Sequence, residues 1–185
     1  MFWKAICDNL GTIIGVIGSL LGAIIGWWLN NITRSGKLAV YVENGINGEF
    51  VTEDNLPATS LEGSQYFNYK FNVEIYNSSS DAKLMRDIKL SFCNNSKQSF
   101  NVTPYDKSRM ISGMAAPIHK PVELFNIPPK TAIRAELYGY ISKEHLSKIF
   151  ETTAVYLSYR DERNNYKKIL VEKFEYSNYK FCQGK

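Results

Sequence analysis

The stretch YFNYKFNVEIY, residues 66–76, decides the fold. Phe67, Tyr69, Phe71, Val73 and Ile75 alternate without a break with Asn68, Lys70, Asn72 and Glu74. Successive side chains of a strand point to opposite faces, so this run reads as a long strand with one face buried and one in water. Its aromatic and β-branched residues fit a pleated, half-buried surface. The run stops at NSSSDA, residues 77–82, a cluster of turn formers.

The same period returns on both sides of this strand. Leu38, Val40 and Val42 alternate before it, and Ile88, Leu90 and Phe92 alternate with Lys89 and Ser91 after it. Residues 100–105 read as a short strand, and 106–120 as irregular chain. Residues 122–125 lead into Ile127, Pro128, Pro129 and Lys130, a rigid turn. Ile133, Ala135 and Leu137 then alternate with Arg134, Glu136 and Tyr138. Val155, Leu157 and Tyr159 face 166–174 across DERNN, residues 161–165, as a hairpin. A soluble helix is expected only at 143–151, and the Gly-, Asn- and Pro-rich stretch 43–64 reads as a long loop.

About seven or eight short strands with turns between them predict an all-β, immunoglobulin-like β-sandwich with one short helix. A small β-barrel is the alternative. The Cys…Trp…Cys pattern of antibody domains is missing, and no tryptophan follows Trp28, so "immunoglobulin-like" describes architecture only.

Upstream lies LGTIIGVIGSLLGAIIGWWL, residues 10–29. No charge occurs between Asp8 and Arg34, and about 20 apolar residues suffice to cross a bilayer as a helix. A cleaved signal peptide is disfavoured, because the run outlasts the usual apolar region and Trp27 and Trp28 stand where small residues would precede a cleavage site. The chain therefore divides into an N-terminal flank (1–8), a single transmembrane α-helix (9–33), a linker (34–36), the β-sandwich domain (37–175) and a C-terminal tail (176–185). Trp3, Trp27 and Trp28 are the expected membrane-interface anchors.

At about 100° per residue, Gly11, Gly15, Gly18, Gly22 and Gly26 fall within an arc of about 80°, with Ser19 at its edge. Isoleucine, leucine and tryptophan cover the opposite side. Bare faces let helix backbones approach closely in lipid, so this stripe predicts a helix-association face, for copies of the chain or a partner helix. A pore is disfavoured, because only Thr12 and Ser19 are polar well inside the span.

The 185 residues carry a net charge of +4, too mild to argue for duplex nucleic acid, and none is expected as partner. Cys7, Cys93 and Cys182 are too scattered for a disulfide framework. Cys7 sits where palmitoylation would be feasible, a spectator thiol being the simpler reading. Flanking basic residues come close to a tie and do not decide the orientation, and the scattered unpaired thiols tilt the expectation toward a cytoplasmic domain.

The search for chemistry is brief. No P-loop, nucleophile elbow or dinucleotide fingerprint occurs. His119 and His145 have no metal-ligand spacing and read as exposed histidines, and Cys93 as a buried thiol. Asp161 and Glu162 read as a solvated turn and not as an acid–base pair. Catalytic residues, metal ligands and cofactors are all expected to be none. The N-x-S/T triplets at Asn31, Asn77, Asn94 and Asn101 carry little weight in so asparagine- and serine-rich a chain. One ligand or lipid-headgroup surface is suggested by Tyr159, Arg160, Arg163, Tyr166, Lys167 and Lys168, where basic and aromatic residues interleave.

These readings converge on a membrane-anchored, non-enzymatic binding protein that self-associates through its helix. The domain's ligand is an unidentified protein or a small nucleotide. The combination of short anchor and β-domain resembles small membrane effectors of bacterial antiviral systems, a likeness of architecture. It implies a second reading, in which a ligand-sensing domain triggers helices that oligomerise and perturb the bilayer.

Overall fold

A computed structural model describes residues 9–95, 97–111 and 118–173. Helix α1 (Leu10–Arg34) is followed by β1 (Leu38–Val51), β2 (Tyr66–Asn77), β3 (Lys83–Asn94), β4 (Lys97–Val102) and β5 (Tyr105–Asp106). Then come a 3-10 turn (Lys107–Arg109), β6 (Leu124–Ile127), β7 (Ala132–Ser142), α2 (Lys143–Phe150), β8 (Ala154–Arg160) and β9 (Tyr166–Lys173). One sheet has the order β1-β2-β7-β5; the other runs β4-β3-β8-β9, with β6 also pairing β3. Every pairing is antiparallel. The strands form two separate sheets and not the closed barrel held as the alternative.

The alternation in 66–76 does what its period dictates. Phe67, Tyr69, Phe71, Val73 and Ile75 are buried, and they join Leu90, Phe92, Val155 and Leu157 of the second sheet in one core. β2 is central, paired with β1 on one side and β7 on the other. Leu146 and Ile149 of α2 are buried in the same core, and Phe150 stacks on Phe50 at 5.4 Å.

The expected loop at 43–64 is corrected. β1 continues through its first part, to Val51, and only the remainder is irregular. Asn44 and Gly45 take left-handed backbone, with φ of 60° and 64°, and the register shifts between Glu43 and Asn47. Residues that read as loop formers thus make a β-bulge inside a strand. The bulge also ties the sheets together, because the Ile46 amide donates to Glu172 Oε2 of β9 at 2.7 Å. The stretch 106–120, expected to be irregular, begins on the last residue of β5 and holds the 3-10 turn and an isolated bridge between Ile111 and Ile118. The terminal readings, including Trp3, Cys7, Cys182 and the tail, lie outside the described residues.

The junction between helix and domain is packed. The Ser80 amide donates to Thr33 O at 3.2 Å, Lys37 N donates to Ser78 Oγ at 2.9 Å, and Arg34 lies 3.7 Å from Asp81. Gly36 sits against the turn backbone: a Cβ there would stand 2.4 Å from Ser79 N and Cα. Gly36→Val is expected to push the helix end off this turn, at about 1–3 kcal/mol as overpacking usually costs. Limited proteolysis should then cut the junction markedly faster, as for any locally opened segment. An unchanged cleavage rate would show that the contact does not hold the junction.

Candidate functional site

The hairpin surface suggested by the sequence comes together only in part. Tyr159 is corrected: it is 5% exposed and belongs to the core, because it shares the inward face of β8 with Val155 and Leu157. Arg160 lies 3.4 Å from Asp87, and Lys168 Nζ sits 4.0 Å from the Tyr156 ring centroid and 3.2 Å from Cys93 Sγ. Arg163, Tyr166 and Lys167 are exposed. The Asp161 carboxylate accepts from Arg163 N at 3.0 Å and Asn165 N at 2.8 Å, closing the turn, while Glu162 bonds Lys83. Among the described residues no group of metal-ligating side chains converges. His145 is not an exposed histidine: its side chain is half-buried and its ring lies 5.1 Å from Phe100.

A different site forms on the outer face of the first sheet. Antiparallel register places Asn68 opposite Tyr140, and Lys70 between Asn47 and Tyr138. β5 then sets Tyr105 opposite Tyr138. The ring of Tyr105 lies 5.8 Å from that of Tyr138 and 6.4 Å from that of Tyr140, and Tyr66 meets Tyr140 edge-on at 5.6 Å. His119 adds a fourth wall, 5.5 Å from the Tyr138 ring, with Nδ1 hydrogen-bonded to the Tyr138 hydroxyl. Tyr105, Tyr138, Tyr140 and His119 line an open cleft of about 890 Å³, rimmed by Asn47, Asn55 and Asn68, with Tyr66 outside it behind Tyr140. Lys107 and Glu136, also on its wall, pair at 2.9 Å.

Tyr69 enters this cleft from beneath. It belongs to the inward face of β2 and is 3% exposed, yet it lines the cleft wall. The route is Gly139, its register partner on β7, where a Cβ would stand 2.5 Å from the Tyr69 hydroxyl and 2.7 Å from Cζ. The hydroxyl has no hydrogen-bond partner among the described residues. Burial, and then the neighbouring Tyr105, hold the Tyr69 phenol far above its ordinary pKa. Burial and then Tyr140 raise Tyr105, and burial and then Asp106 raise Tyr138. The cleft therefore presents neutral phenols at physiological pH.

Helix α1 stands apart from both surfaces. None of its residues is buried, and its most apolar window has a mean hydropathy of 2.0, so it is long and apolar enough to span a membrane. Nothing lies within 4 Å of a Cβ built at Gly11, Gly15, Gly18, Gly22 or Gly26. Ser19 is spent within the helix, donating to Val16 O at 2.9 Å. Trp27 and Trp28 are exposed near its C-terminal end.

The sequence profile of the YopI Ig-like domain matches residues 36–172, the greater part of the chain. The chain belongs to the YopI Ig-like domain family. It is 26% identical over 178 residues to the SPbeta prophage-derived uncharacterized protein YopI of Bacillus subtilis, covering 90% of this chain and 99% of that one. A Bordetella pertussis protein assigned as ApaA aligns with a TM-score of 0.36 at 10% identity, over 77% of this chain and 94% of that one. A Bacillus subtilis protein assigned as a lipoprotein aligns at 0.38 and 12% identity, over 78% and 40%.

In this YopI Ig-like domain the sequence pattern placed Tyr138 on the polar face of its strand, which holds. It did not bring Tyr66, Tyr105, Tyr140 and His119 to it. Those residues come from separate strands and a loop, and only long-range register joins them. The one local signal was Gly139 between two tyrosines: a glycine inside a strand marks a close approach.

Proposed function

We propose that this YopI-type Ig-like protein is a non-catalytic binding protein held in a membrane by α1, with the domain on the cytoplasmic side. The tyrosine cleft is its ligand surface, and the glycine face of α1 joins it to further copies or to a partner helix. The observation that carries the reading is the bare helix: a 25-residue apolar element with none of its residues buried. So large an exposed apolar surface is covered in solution by lipid or by other helices. The cleft supplies the binding half, since concave sites with convergent polar groups on an apolar floor are the usual form of ligand sites.

The test has two parts. The full chain should float with vesicles and resist alkaline carbonate extraction; recovery in the soluble fraction would end the anchor reading. In detergent, chemical cross-linking should trap dimers or larger species, and Gly18→Leu with Gly22→Leu should weaken association by at least about tenfold, as filling a small-residue helix contact does. A wild-type monomer would remove the glycine face from the proposal. The prophage origin of the Bacillus subtilis relative keeps the effector reading in view. Loss of membrane potential on induction, abolished by the same double substitution, would favour it over a plain tether.

A further inference from the structure

We propose that the tyrosine cleft binds a neutral saccharide, which rests on the reading of the cleft as the domain's ligand surface. The starting point is Tyr69, which lines the cleft and whose hydroxyl, buried beneath the strand, has no hydrogen-bond partner among the described residues. Phe67 and Phe71 fill the neighbouring inward positions of β2, so packing alone does not call for a hydroxyl between them. A buried phenol without a partner is unfavourable, and it becomes favourable when a ligand atom takes the bond. Gly139 leaves the hydroxyl uncovered by any side chain, so that a small shift of the phenol would bring it to a ligand, whereas a side chain there would collide with the ring.

Charge narrows the class of ligand. Lys107 is neutralised by Glu136, and the remaining Lys70 and Glu49 on the cleft wall offset each other. A phosphorylated ligand would gain little net attraction. The hydrogen-bonding groups are phenols and the amides of Asn47, Asn55 and Asn68, each able both to donate and to accept. Sugar hydroxyls have that same dual character. The rings of Tyr105, Tyr138 and Tyr140 add apolar faces against which the C–H side of a pyranose can lie. At about 890 Å³ the cleft has room for a short oligosaccharide and not merely one ring.

The test uses the full-length protein in phosphatidylcholine nanodiscs, free of glycoside detergent. It is applied to an array of neutral oligosaccharides, with AMP and an alanine tetrapeptide titrated alongside by calorimetry. At least one neutral glycan should be retained. Tyr140→Ala, at an exposed position, should weaken its binding by about tenfold or more, the loss typical of a truncated aromatic anchor. Tyr69→Phe, which removes only the hydroxyl, should weaken it several-fold while the domain still melts as one unit. Retention of no neutral glycan, or equal binding by wild type and Tyr140→Ala, overturns the saccharide assignment. AMP or peptide bound instead, and lost in Tyr140→Ala, overturns the saccharide class but leaves the cleft as the ligand surface. No ligand that separates wild type from Tyr140→Ala overturns both.

Discussion

Asn77→Ala is expected to destabilise the domain by about 3 kcal/mol, the upper range for leaving buried polar groups unpaired. Asn77 is 0% exposed. Its Nδ2 donates to Asp81 O at 2.8 Å, Pro128 O at 3.0 Å and Ile127 O at 3.1 Å, and its Oδ1 accepts from Ser79 N at 2.9 Å. One side chain thus holds the end of β2, the turn beneath Gly36 and the Pro128–Pro129 turn. Alanine removes both halves of the amide at once and leaves its buried partners unpaired. Asn77→Asp keeps the acceptor for Ser79 but turns a carboxylate toward three carbonyls, and should be worse. Denaturant or thermal unfolding measures both; a loss below about 1 kcal/mol for alanine would show that these bonds are replaceable. The same residue heads an N-x-S triplet, and its burial explains why the triplet is no guide to modification in the folded chain.

Gly139→Val should cost about as much, for the opposite reason. Its Cβ would stand 2.5 Å from the Tyr69 hydroxyl and 2.7 Å from Cζ. Tyr69 cannot step aside, because its ring is buried between Phe67 and Phe71, with Phe71 stacked at 6.5 Å. Overpacking of this kind costs about 1–3 kcal/mol, and the rigidity of an aromatic ring sets it at the upper end. The attribution is checked by a double-mutant cycle. Tyr69→Ala alone is destabilising, as truncating a buried aromatic is, but in the Gly139→Val background it should cost much less. Additive losses would mean that the two residues do not compete for one space. In the Gly139→Val variant the new side chain stands between the Tyr69 hydroxyl and the cleft, so ligand binding should fall with stability.

The fold was largely legible because its signals are local. The alternation of Phe67 to Ile75 needs no knowledge of the rest of the chain, and the hairpin around Asp161 announces itself in five polar residues. The misread stretch 43–64 fails for an equally physical reason. Asn44 and Gly45 signal left-handed backbone, and such residues serve a loop and a bulge alike. What separates the two is pairing with β2, which lies outside the window. The site was hardly legible. Tyr159 looked like a surface tyrosine because it neighbours Arg160, whereas strand period put it inward. The cleft depends on four strands, β1, β2, β7 and β5, meeting in one register, and no spacing in the sequence encodes that arrangement.

The packed junction at Gly36 has a consequence for reach. A domain on a loose tether sweeps a hemisphere around its anchor, and its encounters are set by linker length. Here the turn at Ser78–Ser80 grips the helix end, so the domain inherits its bearing from the helix axis. The cleft begins some nine residues along β1 from that grip, roughly 30 Å at strand rise. A helix tilting by about 20° in a bilayer would swing it sideways by only about 10 Å. On the membrane anchor proposed above, such a domain would work as a fixed-height gauge: it would meet what stands up from the surface at that altitude and pass over what lies flat.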